Sequence, residues 1–188
     1  FLSVCAEPPA DLPVPALVRI MCERAIVLGP LLLEGLAPLP PAARPHVIRV
    51  LGFAGPGYEG HIAAEFAQRD ERIAREAFRA LARIGTPRAA ALVGAQVHDH
   101  QGSFAAAAVE TLGRFPDALA IPQARDLLMS RPFVLRHPDV AGRLLRRLSQ
   151  STATGFDDVI RSLWSLRFRF WNPALTRIAR NAGALLHR

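Results

Sequence analysis

The feature that most constrains the fold of this 188-residue chain is an internal period of about 30 residues. A large apolar residue returns in register at Leu51, Leu81, Leu112, Leu145 and Ile178, and the steps between these positions are nearly equal. Ile20, one step of similar length before Leu51, extends the series to six units. Such a period predicts repeated supersecondary units, each of which buries its apolar face against its neighbours.

The third unit shows which element repeats. Its first segment places apolar residues at helical spacing, and most of its charged residues fall elsewhere on the surface. The apolar set is Ile73, Ala77, Phe78, Leu81 and Ile84. Gly85 suits the left-handed position after a helix, Thr86 can cap the next helix, and Pro87 fits its first turn. We therefore expect a second helix over residues 87–98, and Asn172-Pro173 and His137-Pro138 mark further helix starts.

A formal G-x-G-x-x-G motif spans Gly55 to Gly60. A dinucleotide-binding loop needs a strand before this motif and a helix after it. Within the period, however, residues 55–57 occupy the same place as residues 85–87, which lie between two helical segments. The motif is therefore predicted to be an inter-helix turn that binds no nucleotide.

Residues 73–93 and, more weakly, residues 104–128 resemble the HEAT-repeat family, especially short bacterial HEAT-like repeats related to those of phycobilin lyases. The resemblance implies an all-α fold, an α-solenoid with a right-handed superhelix of about five to six helix pairs. It covers residues 13–188 as one repeat domain and leaves residues 1–12 as an N-terminal extension or fragment edge. The second helix of the first unit is expected to be interrupted at Gly29-Pro30, and the fifth unit to contain a long turn over residues 149–155.

The charge is distributed unevenly along the chain. Residues 1–130 contain 12 arginines and 13 acidic residues, a net charge of −1. Residues 131–188 contain 11 arginines and three acidic residues, a net charge of +8. A basic surface of this kind attracts acidic proteins, nucleic acids or anionic membranes, or is simply solvated.

Within the basic third, arginines alternate with aromatic residues. From these we select a partner-binding set of Arg161, Arg167, Arg169, Trp171 and Arg177. Arginine and tryptophan are frequent in protein-binding hot spots, and the same mixture can bind single-stranded nucleic acid.

Helical spacing also allows Ile160, Leu163, Trp164, Phe168 and Trp171 to be core residues on a helix over about residues 156–171. A second core stripe is formed by Val140, Ala141, Leu144, Leu145 and Leu148, with Arg143, Arg146 and Arg147 outside it.

No cluster in the sequence predicts catalysis, a metal or a cofactor. His98-Asp99-His100 lacks an evident third ligand and is better explained as a polar turn. Asp157-Asp158 is expected to open a helix, where carboxylates are favourable. Cys5 and Cys22 are expected to be buried thiols rather than a disulfide or zinc pair.

The apolar run from Ala25 to Leu33 is too short for a membrane helix, which needs about 20 residues. The chain begins with Phe1 and shows no signal peptide, so we expect a fragment or processed chain, with an anchor or a catalytic domain allowed upstream.

We expect a non-catalytic cytoplasmic scaffold or adaptor that binds an acidic protein partner, with no small-molecule ligand. The alternative is a nucleic-acid-binding solenoid that resembles the alkylpurine DNA glycosylases, for which Trp164, Trp171, Asp158 and Arg161 are the candidates. A phycobilin-lyase-like activity is a third, weaker alternative.

Overall fold

The structure is a computed structural model that describes residues 13–99, 103–150, 157–165 and 173–186. Every regular element in those residues is helical, and they contain no strand. The predicted all-α class is therefore confirmed. The predicted extension over residues 1–12 lies outside the described part of the chain.

The described helices follow one another with short connections. The first six are α1 (Val14–Glu23), α2 (Ala25–Glu34), α3 (Arg44–Ala54), α4 (Glu59–Ala64), α5 (Glu71–Ile84) and α6 (Pro87–Asp99), with a 3₁₀ turn at Glu65–Gln68 between α4 and α5. The next six are α7 (Ser103–Leu112), α8 (Asp117–Met129), α9 (Arg131–Arg136), α10 (Pro138–Gln150), α11 (Asp157–Trp164) and α12 (Pro173–Leu186).

The chain divides into two compact units, residues 1–93 and residues 94–188. We call these the N-terminal unit and the C-terminal unit. In the N-terminal unit, α3 is central and packs against α1, α2 and α5. In the C-terminal unit, α10 is central and packs against α7, α8, α9 and α12. The continuity of residues 13–188 as one repeat domain stays a prediction.

The predicted ladder of apolar residues lies in the cores of the two units. Leu51 and Leu81 are fully buried in the N-terminal unit, and Leu112, Leu145 and Ile178 are at most 3% exposed in the C-terminal unit. The series from Leu51 to Ile178 is therefore confirmed as core.

The extension of that series to Ile20 is wrong, because 54% of Ile20 is exposed. Helix α1 instead buries Val18 and Met21. Residues three apart share one face of a helix, and Ile20 lies between these two on the opposite side. The period therefore does not continue in register into α1.

Residues 55–57 of the G-x-G-x-x-G motif lie in the turn between α3 and α4, as predicted, and the motif ends within α4. Gly55 and Gly57 have φ of 96° and 108°, a region that disfavours side chains. The equivalent turn after α5 has Gly85 at φ 67°, and the Thr86 hydroxyl oxygen accepts a hydrogen bond from the Ala89 N–H at 3.1 Å. Both turns therefore separate helices, and a helix rather than a strand precedes the motif.

The expected interruption of the second helix at Gly29-Pro30 is also wrong. Helix α2 runs without a break from Ala25 to Glu34 and contains Pro30. A proline inside a helix removes one backbone hydrogen bond. The buried face of α2, formed by Ala25, Gly29 and Leu32, packs on α3 and holds the helix together despite that loss.

The C-terminal unit contains one helix that the period did not indicate. The short helix α9 lies between α8 and α10. The repeat that begins with α7 therefore contains three helices rather than two. Helix α10 buries the complete predicted stripe from Val140 to Leu148, and Arg143, Arg146 and Arg147 are exposed, as expected. Helix α11 begins at Asp157 as predicted and is described as far as Trp164.

Candidate partner-binding surface

The acidic residues of the N-terminal unit that are buried serve its internal structure. They are Glu59, Glu65 and Glu76. Glu65 accepts two hydrogen bonds from Nη1 of Arg44, at 3.0 and 2.9 Å. The rest of the Arg44 guanidinium donates to the carbonyls of Leu39 and Ala37, at 2.9 and 2.8 Å. The hydrogen bonds of Arg44 therefore link the connection between α2 and α3 to the 3₁₀ turn.

Glu76 on α5 forms the second internal ion pair. Its carboxylate accepts hydrogen bonds from Nε and Nη2 of Arg49 on α3, both at 3.1 Å, and from Arg79 at 3.4 Å. Burial alone would raise the pKa of Glu76, but the hydrogen bonds and charges of the two arginines outweigh it, so the pKa is lowered. A carboxylate held ionised in this way is a poor proton acceptor, and its role is to join α3 to α5.

This pair predicts a dependence of stability on pH. The folded-state pKa of Glu76 lies below its ordinary value of 4.5, so its stabilisation is present above that pH and is lost as the pH falls through the folded-state pKa. At neutral pH, we expect Glu76→Gln to lower the free energy of unfolding by about 2 kcal/mol, because two half-exposed arginines lose a buried partner. As the pH falls through the folded-state pKa, the variant and the parent should converge. Urea unfolding measured from neutral to acidic pH checks this.

The control is Glu71→Gln on the same helix. Glu71 pairs with Arg75, but its side chain is 70% exposed, so the pair contributes little. Glu71→Gln should leave stability within about 0.5 kcal/mol of the parent at each pH. A constant difference between Glu76→Gln and the parent across the whole pH range would contradict the assigned role of Glu76.

Glu59 joins the two equivalent turns of the N-terminal unit. Its carboxylate accepts hydrogen bonds from the Gly57 N–H at 2.8 Å and from the Thr86 hydroxyl at 2.9 Å. Burial acts to raise the pKa of Glu59, and these hydrogen bonds with the nearby charge of Arg88 lower it overall. This buried carboxylate of the N-terminal unit is thus also committed to structure.

Cys22 does not have the character of a nucleophile. The thiol is free and half-buried, so the predicted full burial is only partly met. Burial raises the pKa of the thiol, and the charges of Arg83 and Arg49 offset only part of that rise. Arg83 itself lies over the ring of Phe53, at 4.1 Å from the ring centre. Cys5 lies outside the described residues.

In the C-terminal unit, several partly exposed acidic side chains form ion pairs. Glu110 pairs with Arg114 at 3.1 Å, Asp117 pairs with Arg147 at 3.1 Å, and Asp158 pairs with Arg125. Each pair joins two partly exposed side chains, so it contributes little to stability. Each pair neutralises one acidic and one basic side chain, and the exposed Asp126 and Asp139 form no ion pair with a described side chain.

Several exposed arginines of the same unit have no ionic partner among the described side chains. They include Arg143, Arg161, Arg177 and Arg180. Arg177 and Arg180 are three residues apart on α12 and therefore neighbours on one face. Arg161 lies on α11, which packs on α12. The structure thus keeps at the surface the positive charge that the sequence concentrates in this part of the chain.

Two of the five predicted partner-binding residues fall in the described part of the chain, Arg161 and Arg177, and both are exposed. The other three, Arg167, Arg169 and Trp171, lie outside it. We extend the described pair by Arg180 and call Arg161, Arg177 and Arg180 the arginine surface.

Two of the residues nominated for the glycosylase alternative have other roles in the structure. The Trp164 ring packs directly against Gly183 of α12, where no side-chain carbon would fit. Asp158 is engaged by Arg125 and accepts a hydrogen bond from the Val159 N–H at 2.8 Å. The pKa of Asp158 is lowered, chiefly by the hydrogen bond from Arg125. Neither residue has the free side chain that base stacking or acid–base chemistry requires.

A groove of about 240 Å³ opens on the C-terminal unit between α7, α8 and α10. Its floor is apolar and is formed by Val109, Leu112, Ala120, Ala124, Leu144 and Leu148. Its edge carries Glu110, Asp117, Arg143 and Arg147. This groove was not predicted from the sequence. The available signal was the alanine run at residues 105–108 of α7, of which Ala106 lines the groove.

A metal site is not formed by the described residues, which contain no group of three or more potential His, Cys, Asp or Glu ligands. His98 and Asp99 end α6, and the side chains of residues 98–100 are not among those that the structure describes. The predicted polar turn at this cluster therefore stays a prediction.

Helix α2 presents a second exposed feature, an apolar face. Ile26, Val27 and Leu31 are exposed by 78%, 73% and 63%. Exposed apolar patches are frequent at interaction sites. None of the described helices combines the length and the apolar character that a membrane crossing requires.

No family model, curated protein or solved structure matches the chain.

Proposed function

We propose that the protein is a non-catalytic adaptor that binds an acidic protein partner through its C-terminal unit. One observation carries the proposal: ion pairs neutralise three acidic side chains of this unit, while the arginine surface retains unpaired positive charge among the described residues. Unpaired surface charge of one sign steers a partner of opposite sign and accelerates its association.

The proposal includes the finer architecture. We infer that the helix pairs stack as a HEAT-like α-solenoid with a right-handed superhelix. The recurrence of the buried ladder within each unit supports this inference. Stacked helix pairs offer extended surfaces for protein recognition. A cytoplasmic location is also part of the proposal, since free thiols such as Cys22 are typical of reducing compartments.

The alternative is a nucleic-acid-binding solenoid. The exposed arginines are compatible with phosphate binding. The packing of Trp164 and the ion pair of Asp158 favour the protein-binding proposal, because they remove two of the four residues nominated for base recognition.

Affinity capture followed by mass spectrometry tests the proposal. The tagged full-length protein is expressed in its source cells, and each lysate is divided and treated with or without nuclease. We expect a protein to be retained in both samples, to be lost with the triple variant R161E/R177E/R180E, and to be retained with R19E/R72E/R75E. The second triple variant reverses three exposed arginines of the N-terminal unit, of which Arg75 is paired with Glu71, and is the control.

Two results would reject the proposal. One is captured material dominated by nucleic acid, or protein capture that disappears after nuclease treatment. The other is equal loss of the captured protein with both triple variants, which would mean that the arginine surface has no special part in binding.

A further inference from the structure

The groove on the C-terminal unit lies where α7 and α10 leave a space, whereas α3 and α5, the equivalent helices of the period, approach closely. In the N-terminal unit, α3 and α5 approach so closely that a side-chain carbon on Gly52 would lie 2.7 Å from Cβ of Ala80. In the C-terminal unit, Ala106 on α7 faces the space in front of α10, and no large side chain of α7 fills it. The result is an unfilled apolar depression on the surface.

The size of the groove indicates the class of its occupant. Sites for drug-sized ligands and cofactors enclose roughly 300–1,000 Å³. At about 240 Å³, this groove is smaller and is open to solvent. It has room for one or two large apolar side chains of a partner that remains mostly outside the groove.

The charges at the edge indicate the sign of the partner. Asp117 is paired with Arg147, and Glu110 is paired with Arg114. Arg143 lines the same edge and has no ionic partner among the described side chains. An apolar floor beside one unneutralised arginine complements a segment that carries apolar residues next to an acidic residue.

The surroundings of the groove favour a helical segment over an extended one. A peptide that binds as a strand adds to the edge of a sheet, and a polyproline segment docks in a groove lined by aromatic side chains, which are absent from the lining of this groove. The described part of the chain contains no strand, and helices form all three walls of the groove. A helix satisfies its own backbone groups and needs only side-chain contacts.

We propose that this groove binds an acidic amphipathic helix of the protein partner. Two large apolar side chains one helical turn apart enter the floor, and an aspartate or glutamate on the same face pairs with Arg143. This inference rests on the proposed adaptor function and adds the class of segment that is recognised.

The test uses a displayed library of short helical peptides, selected against the full chain. We expect the enriched peptides to share two large apolar residues at a spacing of three or four and an acidic residue beside them. The best peptide is then synthesised with a fluorescent label, and its dissociation constant is measured by anisotropy for the parent and for four variants.

The variants separate the groove from its surroundings. Ala106→Leu fills the groove and Arg143→Glu reverses its charge, and each should weaken binding at least tenfold. Ala107→Leu changes the adjacent alanine, which is half-buried like Ala106 but does not line the groove. Arg131→Glu reverses an exposed arginine of the same unit away from the groove. Both controls should stay within about twofold of the parent, and circular dichroism should show equal helical content for all four variants.

Three results would overturn the inference: enriched peptides without the apolar pair, no enrichment at all, or equal weakening by Ala106→Leu and Ala107→Leu. Displacement of the peptide by decanoate at a lower concentration than by unlabelled peptide would identify a small amphiphile as the occupant and would also overturn it.

If the groove variants change nothing while capture of the partner still requires the arginine surface, the groove inference fails and the adaptor function stands. If the groove variants weaken peptide binding but the arginine surface has no effect on capture, the proposed function fails instead.

Discussion

Replacing Arg44 with Ala is expected to lower the free energy of unfolding by about 3–5 kcal/mol, the range for removal of one partner from a buried ion pair. The side chains of Arg44 and Glu65 are only 12% and 10% exposed. Without Arg44, the Glu65 carboxylate would remain buried with no counter-charge. The carbonyls of Ala37 and Leu39 would also lose their donor. Urea unfolding followed by circular dichroism at neutral pH measures the change.

Arg75→Ala is the control for this prediction. Arg75 pairs with Glu71 at 2.8 Å, which is as close as the Arg44 pair, but both side chains are largely exposed. Its removal should cost less than about 1 kcal/mol. If the two variants lowered the free energy of unfolding by similar amounts, burial of the Arg44 pair would have no energetic consequence. That result would contradict the structural role assigned to Arg44.

Leu81→Ala is expected to lower the free energy of unfolding by about 2–5 kcal/mol, the range for truncation of a buried leucine that leaves a cavity. Leu81 is fully buried on α5, and the apolar ladder of the N-terminal unit depends on its packing with α3. Chemical unfolding measures the change. Because the chain has two compact units, the transition is followed by a probe in each unit.

Leu31→Ala is the matched control, because it deletes the same atoms from a leucine that is 63% exposed on α2. It should change stability by less than about 0.5 kcal/mol. A small effect of Leu81→Ala, comparable to that of Leu31→Ala, would mean that the repeating position is not a core position, and the repeat assignment would fail.

The sequence was sufficient to predict the elements whose signals are local or strictly periodic. The ladder from Leu51 to Ile178 recurs at nearly constant spacing, and every member is buried. The turn at Gly85-Thr86-Pro87 contains three residues that each favour the observed geometry, so the helix end and the next helix start were both predictable. The same comparison of equivalent turns identified the G-x-G-x-x-G motif correctly as a connection between helices.

The features that were missed depend on tertiary contacts. In α1, both Ile20 and its neighbour Met21 are apolar, so the pattern alone did not decide which faces inward. In α2, the packing of one face on α3 outweighs the lost hydrogen bond at Pro30. The step from Leu112 to Leu145, which contains the short helix α9, is as long as the next step from Leu145 to Ile178, so the period gave no sign of this helix.

The candidate site was only partly predictable. The concentration of arginine after residue 130 is visible in the composition, and Arg161 and Arg177 are exposed as expected. Which acidic residues neutralise which arginines was not visible, because Asp117–Arg147 and Asp158–Arg125 join residues about one period apart in the sequence. The groove depends on the gap between α7 and α10, and a run of alanines alone does not locate that gap.

Recruitment of an acidic partner by the arginine surface is tested most directly by the association rate of the purified partner as a function of ionic strength. The rate is measured for the parent, R161E/R177E/R180E and R19E/R72E/R75E. At low salt, we expect the first triple variant to associate about 10- to 100-fold more slowly than the parent and the control to associate almost normally, because steering acts over a Debye length of about 8 Å at physiological salt and farther at low salt. The difference should shrink as salt is added. Small and equal effects of the two triple variants at every ionic strength would contradict this recruitment and would leave the basic surface as solvated charge.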